Sequence, residues 1–347
     1  MHRQLTGWLC RLVLVSMVFS ARLAVAELPA LDAASADSGS SDKPTHEMSL
    51  AEISAKLNNP LSDLWMIWLQ NDRMKYNGDL SSRDRTIDVK YFEPVISIPM
   101  GDTWNLVSRP VITRIDAQVP EVDLPKIPGD GLGGTPGGSD FGGINKTELA
   151  ETVLNNADWD NQSAWGDLIF ISMISPQQLP TVGDAKIAWG VGATTMWPTA
   201  SKDLFGTEKY SAGPAALALY MGPKWRFGAL GQQWWSYAGE SDRKDVSRMN
   251  LQYFWFYDLG NLWQLGAAPN ITANWKADSD NRWTVPLGIG INKTVKIGRL
   301  PVRFAVELHK TVVQPDAFGM DWNLRFVVIP VIPNLVKMYQ GTLQLPE

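Results

Sequence analysis

Trp283 to Lys296 alternates with a period of two. Trp283, Val285, Leu287, Ile289, Ile291, Lys293 and Val295 hold one set of positions; Thr284, Pro286, Gly288, Gly290, Asn292, Thr294 and Lys296 hold the other. One face is greasy and the other small or polar, which predicts a β-strand. At about 3.3 Å per residue the stretch reaches roughly 43 Å, or about 30 Å along the membrane normal when tilted near 45°. That matches the hydrocarbon core of a bilayer. Pro286 cannot donate to a ladder, so the strand needs a bulge or a non-bonding position there.

Similar segments recur along the chain. The pattern predicts strands at about Leu61–Gln70, Thr86–Pro99, Trp104–Ile115, Asp167–Ser175, Lys186–Thr199, Pro214–Met221, Trp225–Ala238, Met249–Tyr257, Leu262–Trp275, Trp283–Lys296, Val302–Thr311 and Trp322–Val331. Val302, Phe304, Val306 and Leu308 alternate with Arg303, Ala305, Glu307 and His309, as Trp322, Leu324, Phe326 and Val328 do with Asn323, Arg325, Val327 and Ile329. Asp167 to Ile174 and part of Met249 to Tyr257 are apolar on both faces, so their lipid side is not readable from pattern.

The connections sort into two sets that alternate. Met100–Thr103, Gly222–Lys224, Asp258–Asn261 and Ile297–Pro301 are tight, and Pro176–Ala185 is the longer member of the same set. Asn71–Arg85, Asp116–Gly166, Ala200–Gly213, Gly239–Arg248, Lys276–Arg282 and Val312–Asp321 are longer and polar. Outer-membrane barrels have short periplasmic turns, long outer loops and an even strand count. A Greek-key sandwich has no reason to sort its loops this way. The expected fold is therefore all-β, a transmembrane antiparallel β-barrel of about twelve strands with a short N-terminal helix. Trp104, Trp197, Trp225, Trp235, Tyr237, Trp263, Trp275, Trp283 and Trp322 fall near strand ends, as aromatic girdles would.

Before the strands, Met1 to Ala26 reads as a secretory signal with a small-residue site at Ala24-Val25-Ala26. Residues 27–60 are expected to be a periplasmic linker ending in a short helix, 61–333 the barrel and 334–347 a C-terminal tail. Ser49 and Glu52 form a capping-box pattern that predicts the helix over Ser49–Leu57. A periplasmic lead-in is the favoured reading of this helix, and a plug inside the pore is the alternative. The single cysteine, Cys10, lies within the signal, so the exported chain has no disulfide. Losing Arg3, Arg11 and Arg22 with the signal takes the formal charge from −5 to −8, which argues against nucleic acid as a partner.

An ordered set of short motifs adds a resemblance. It comprises Trp104–Arg109, Trp165–Asp167, Ala188–Ala193, Trp197–Ala200, Gly206–Lys209, Ala212–Pro214, Trp234–Gly239 and Trp283–Pro286. From about Asn59 to Val331 the chain resembles the bacterial outer-membrane family labelled "meta-pathway phenol degradation" or "neuromedin U". The resemblance implies a channel-like or transporter-like barrel associated with hydrophobic or aromatic compounds. Two features depart from it: a long Gly-rich loop, Gly129–Gly143, followed by a helical pattern at Lys146–Ala157, and a chain end that is Glu347 rather than aromatic.

The expected lumen candidates are Arg109, Arg226, Asn270, Thr284, Asn292, Arg303, Glu307, His309 and Arg325. Arg303, Glu307 and Arg325, with Arg226 and Arg109, are expected to form one lumenal ion-pair network. No cofactor or metal is expected, and Gly129–Gly134 lacks the frame of a phosphate loop. Expected partners are outer-membrane lipid and lipopolysaccharide, the barrel-assembly machinery and a small-molecule substrate. The leading function is passive passage of small hydrophobic or aromatic compounds across the cell outer membrane. A non-conducting barrel that displays its loops is the alternative, favoured by a lumen full of large side chains. A hydrolase pairing His309 with Ser172 or Ser236 is a third reading.

Overall fold

The structure is a computed structural model and describes residues 49–120, 158–298 and 300–332. The expected signal, the linker before the helix, the Gly129–Gly143 loop with its following helix, and the tail lie outside the described residues. One helix, α1 (Leu50–Lys56), precedes fifteen strand segments. These are β1 (Trp65–Gly78), β2 (Ser81–Met100), β3 (Trp104–Pro120), β4 (Trp159–Trp165), β5 (Leu168–Pro176), β6 (Thr181–Val182), β7 (Ala185–Trp197), β8 (Lys209–Met221), β9 (Trp225–Gly239), β10 (Ser247–Gly260), β11 (Trp263–Ala267), β12 (Asn270–Asn274), β13 (Trp283–Ile297), β14 (Leu300–Val313) and β15 (Gly319–Ile332). Three segments add no new position: β4 and β5 both pair with β3, β11 and β12 both pair with β10, and β6 pairs only with β7. Twelve antiparallel positions remain. They close into a barrel, because β1 pairs with β15.

Alternation sets which side chains face outward. On β13, Leu287, Ile289 and Ile291 are 58%, 54% and 44% exposed, while Thr284, Asn292 and Thr294 are buried. A greasy exterior around a polar interior suits strands in lipid. The same alternation settles the faces left open by sequence. Ile169, Ile171 and Met173 point in while Phe170 and Ile174 point out, and on β10 Arg248, Asn250 and Phe254 are buried. Trp104, Trp225 and Trp263 ring the end with the short turns; Trp197, Trp235, Tyr237, Trp275, Trp283 and Trp322 ring the other. Lys293 lies on the outer face with its ammonium 4.5 Å from the Trp263 ring, a cation–π contact at girdle height.

Two expectations change. Asn71–Arg85 is not a long loop. Both strands continue through it, and Asp79 and Leu80 turn between Gly78 (φ +146°) and Ser81. Asn71, Arg73, Lys75 and Asn77 face outward on strand that runs on past the greasy band, while Asp72, Met74 and Tyr76 face in. Nor is Leu262–Trp275 one strand. It breaks at Ala268-Pro269, where the proline removes a ladder donor.

The break leaves a gap in the wall. β13 pairs with β11 at 291–293 and with β12 at 283–284, but not between. Side chains of β10 reach across the gap. The Tyr253 hydroxyl donates to Pro286 O at 2.9 Å, and Trp255 Nε1 donates to Gly288 O at 3.3 Å. Aromatic side chains thus satisfy carbonyls that a neighbouring strand would otherwise cover.

Candidate functional site: the barrel lumen

The inner wall divides by chemistry. On β1 to β5 the half toward the long loops is lined by Met74, Tyr76, Ile87, Val89, Ile115 and Val119. On β10 to β15 the same height carries Arg248, Asn250, Thr272, Thr284, His309 and Asn323. A charged belt crosses mid-height and ties the two walls together. Arg325 donates to Asp72 through Nε at 2.8 Å and Nη2 at 2.9 Å, a bidentate pair directly across the β1–β15 register. Its third nitrogen, Nη1, donates to Ala268 O at 2.7 Å. The Ala268 amide donates to Glu307 Oε2 at 3.0 Å, and Glu307 in turn meets His309 Nε2 at 2.9 Å. The inward peptide at the wall's break is therefore held by the belt.

All nine expected residues lie on the inner wall. Eight are buried, and Arg109 has 12% of its side chain exposed. They do not form one network. Arg109 pairs with Glu93, and Arg226 reaches Asp258 at 3.4 Å. Arg303 meets no carboxylate among the described residues. Instead, Nη2 donates to Ser54 O at 2.6 Å and Nη1 to Asn58 Oδ1 at 2.8 Å. The acidic partners Asp72, Glu93 and Asp258 were not among the sequence candidates. Asp72 was hidden because its stretch read as loop, although the Gln70, Asp72, Met74, Tyr76 alternation was there to be read.

α1 forms where expected. Ser49 caps it, and Glu52 returns the bond at 2.7 Å to complete the capping box. It does not stand clear of the barrel. Ser54 is buried and bonds Thr294 Oγ1 at 2.9 Å on β13. Leu61, a few residues later, lies against Gly190 on β7, where an added Cβ would come within 2.6 Å of it. The segment from Ser54 to Leu61 therefore crosses the short-turn mouth from one wall to the other. Among the described residues, two cavities in the lumen measure about 10 and 40 Å³, room for a few waters.

On β11 to β15 several buried side-chain atoms have no partner among the described residues. They are Gln264 Oε1, Thr272 Oγ1, Thr284 Oγ1, Asn292 Oδ1, Thr311 Oγ1 and Asn323 Oδ1. They run from one end of the lumen to the other along a single wall. Elsewhere on the inner wall Ser175 Oγ on β5, Ser211 Oγ on β8 and Trp234 Nε1 on β9 also lack a partner among the described residues.

His309 contacts Glu307 and Asn323. Ser172 instead bonds Ser108 at 3.1 Å, and Ser236 bonds Asp245 and the Val246 amide by the long loops. The structure brings neither serine to His309. At that loop end, Asp167 sits between β4 and β5, accepting from Thr207 N at 2.7 Å, Thr207 Oγ1 at 2.8 Å and Ala200 N at 3.1 Å. Burial pushes its carboxyl up to about 6 despite these bonds.

No protein-family model matches the sequence. No curated protein matches it either. Among solved structures, the COG4313 outer membrane channel from Pseudomonas putida F1 superposes with a TM-score of 0.50 at 12% identity, over 78% of this chain and 94% of that one. Outer membrane phospholipase A from Escherichia coli gives 0.36 at 9% identity, over 81% and 98%. A Pseudomonas aeruginosa FadL homologue gives 0.33 at 11%, over 81% and 94%. The first of these likenesses is one of fold: a closed, antiparallel barrel of the outer-membrane kind. The two lower scores add nothing to it.

Proposed function

We propose that this barrel is a channel of the cell outer membrane, closed in the state described, that passes small molecules passively. The row of unpartnered oxygens on β11 to β15 carries the reading. Leaving a buried polar atom unmade costs about 1–3 kcal/mol, so a barrel serving only as an anchor has no reason to keep six along one wall. Water or a solute moving past that wall would satisfy them in turn. The opposite apolar wall suits a hydrocarbon body, so the reading favours compounds with an aromatic or aliphatic part and one hydrogen-bonding group. On this reading the chain groups with the barrels labelled for meta-pathway phenol degradation. The girdles would meet lipid and lipopolysaccharide, and the barrel-assembly machinery would insert it.

Opening requires the Ser54–Leu61 segment to leave the short-turn mouth. Planar-bilayer recording of the refolded protein tests this with Arg303→Met, which removes the donors that hold Ser54 and Asn58. The variant should raise conductance several-fold. Silence in wild type, in R303M and in a chain lacking Gly129–Ala157 would sink the channel.

The second reading, a non-conducting barrel that displays its loops, is favoured by the small internal voids and by the closed Arg325–Asp72–Glu307 belt. It predicts that silence.

A further inference from the structure

At the short-turn end a recess of about 560 Å³ opens between α1 and the adjoining ends of β9, β10 and β11. Its volume falls within the roughly 300–1,000 Å³ of small-molecule sites. Ala51 and Ala55 on one helix face, together with Leu262, give it apolar surface. Arg226, Asp258 and Gln264 give it polar groups.

Those polar groups are poorly used by the protein itself. Gln264 is 2% exposed, yet its Oε1 has no partner among the described residues. Arg226 is 8% exposed, and its contact with Asp258 is one nitrogen at 3.4 Å. A well-made guanidinium–carboxylate pair uses two parallel bonds of about 2.7–2.9 Å. Asp258 meanwhile accepts from the Gly260 amide at 2.8 Å, which draws its other oxygen to the turn. Arg303, on the neighbouring wall, bonds the neutral Ser54 and Asn58. Most of the donors of Arg226 are therefore unspent.

We propose that this recess binds a small organic carboxylate. Its carboxylate would take the free donors of Arg226, and its hydrocarbon body the Ala51, Ala55 and Leu262 surface. In a conducting barrel the site would hold such an acid at the short-turn exit; in that role it rests on the channel reading.

Equilibrium dialysis of radiolabelled benzoate against the refolded full chain in detergent tests it. Wild type should bind benzoate saturably, and benzamide, the neutral analogue, should compete at least tenfold less well. Arg226→Gln should weaken benzoate binding at least tenfold. Asp258→Asn should tighten it about threefold, because it removes the carboxylate that competes for Arg226. A purely structural Arg226–Asp258 pair predicts no gain from D258N. Heat-modifiable gel mobility checks the fold of each variant, and D258N decides the matter where R226Q does not fold. Absence of saturable binding, equal competition by benzamide, or a D258N that binds no better than wild type overturns the site. Conductance without benzoate binding removes the site and leaves the channel. Benzoate binding without conductance does the reverse.

Discussion

The β1–β5 wall and the β10–β15 wall solve the same problem in opposite ways. Both consist of strands with one face to lipid, and both must fill or wet the face turned inward. The first packs Tyr76, Ile87, Val89 and Ile115 into a dry layer, where Tyr76 stacks 5.2 Å from Phe318 of the β14–β15 connection. The second lays out Thr, Asn, Gln and His, several without partners. Dry packing is rigid because each contact is shared among neighbours. An under-bonded polar wall is held by the strands that carry it, so its side chains are free to bond something else. The difference places stability on one wall and exchange on the other, with the Asp72–Arg325 belt between them.

The sharpest way to break that contrast is to cut the belt. Arg325→Met leaves Asp72 and Glu307 buried without their cation and should cost about 3–5 kcal/mol in denaturant unfolding of the refolded protein. Asp72→Leu added to it should restore most of the loss. A cost below about 1 kcal/mol would mean the belt does not join the walls.

The rim above the dry wall should respond to pH. The folded-state value of Asp167, about 6, lies above its ordinary 3.8, so the native state binds this proton more tightly than the unfolded chain does. Its contribution is full below about 4 and fades as pH rises through 6, by at most about 3 kcal/mol. A spin label at the exposed Leu204 should therefore be more ordered at pH 5 than at pH 7.5, and Asp167→Asn should flatten the difference.

Tyr253→Phe removes the donor to Pro286 O and should cost about 1 kcal/mol, with faster hydrogen exchange confined to β13. The smallest effect belongs to the polar wall. Thr284→Val exchanges an unpartnered hydroxyl for a methyl and should leave stability unchanged or raise it by up to about 1 kcal/mol, while lowering conductance. A clear loss of stability would show that Thr284 is paired after all, and would return that wall to the dry class.

Much of this was legible in the sequence. Period-two alternation located the strands, and the parity of turns fixed which ends go together. Ser49 and Glu52 fixed the helix through bonds made within four residues. What escaped was decided by contacts at long range. Asp72 belongs inside because Arg325 stands opposite it, 253 positions along the chain. Arg303 looked like one of an ion-pair set, but its shortest bonds go to a backbone carbonyl and an amide from a segment that precedes the barrel. Pro269 did signal the break in Leu262–Trp275, and the intact alternation on either side concealed it.

The Asp72–Arg325 pair also bears on how such a barrel is completed. It straddles the ladder between the first strand and the last, so it cannot form until β15 has been made and brought round to β1. Until then a carboxylate and a guanidinium face the forming interior on two open edges, each solvated and each attracting the other. Their meeting desolvates both at once. The pair thus ties burial of its charges to arrival of the final strand, and a chain truncated before Arg325 would be left with Asp72 unmatched inside a sheet that has no way to close.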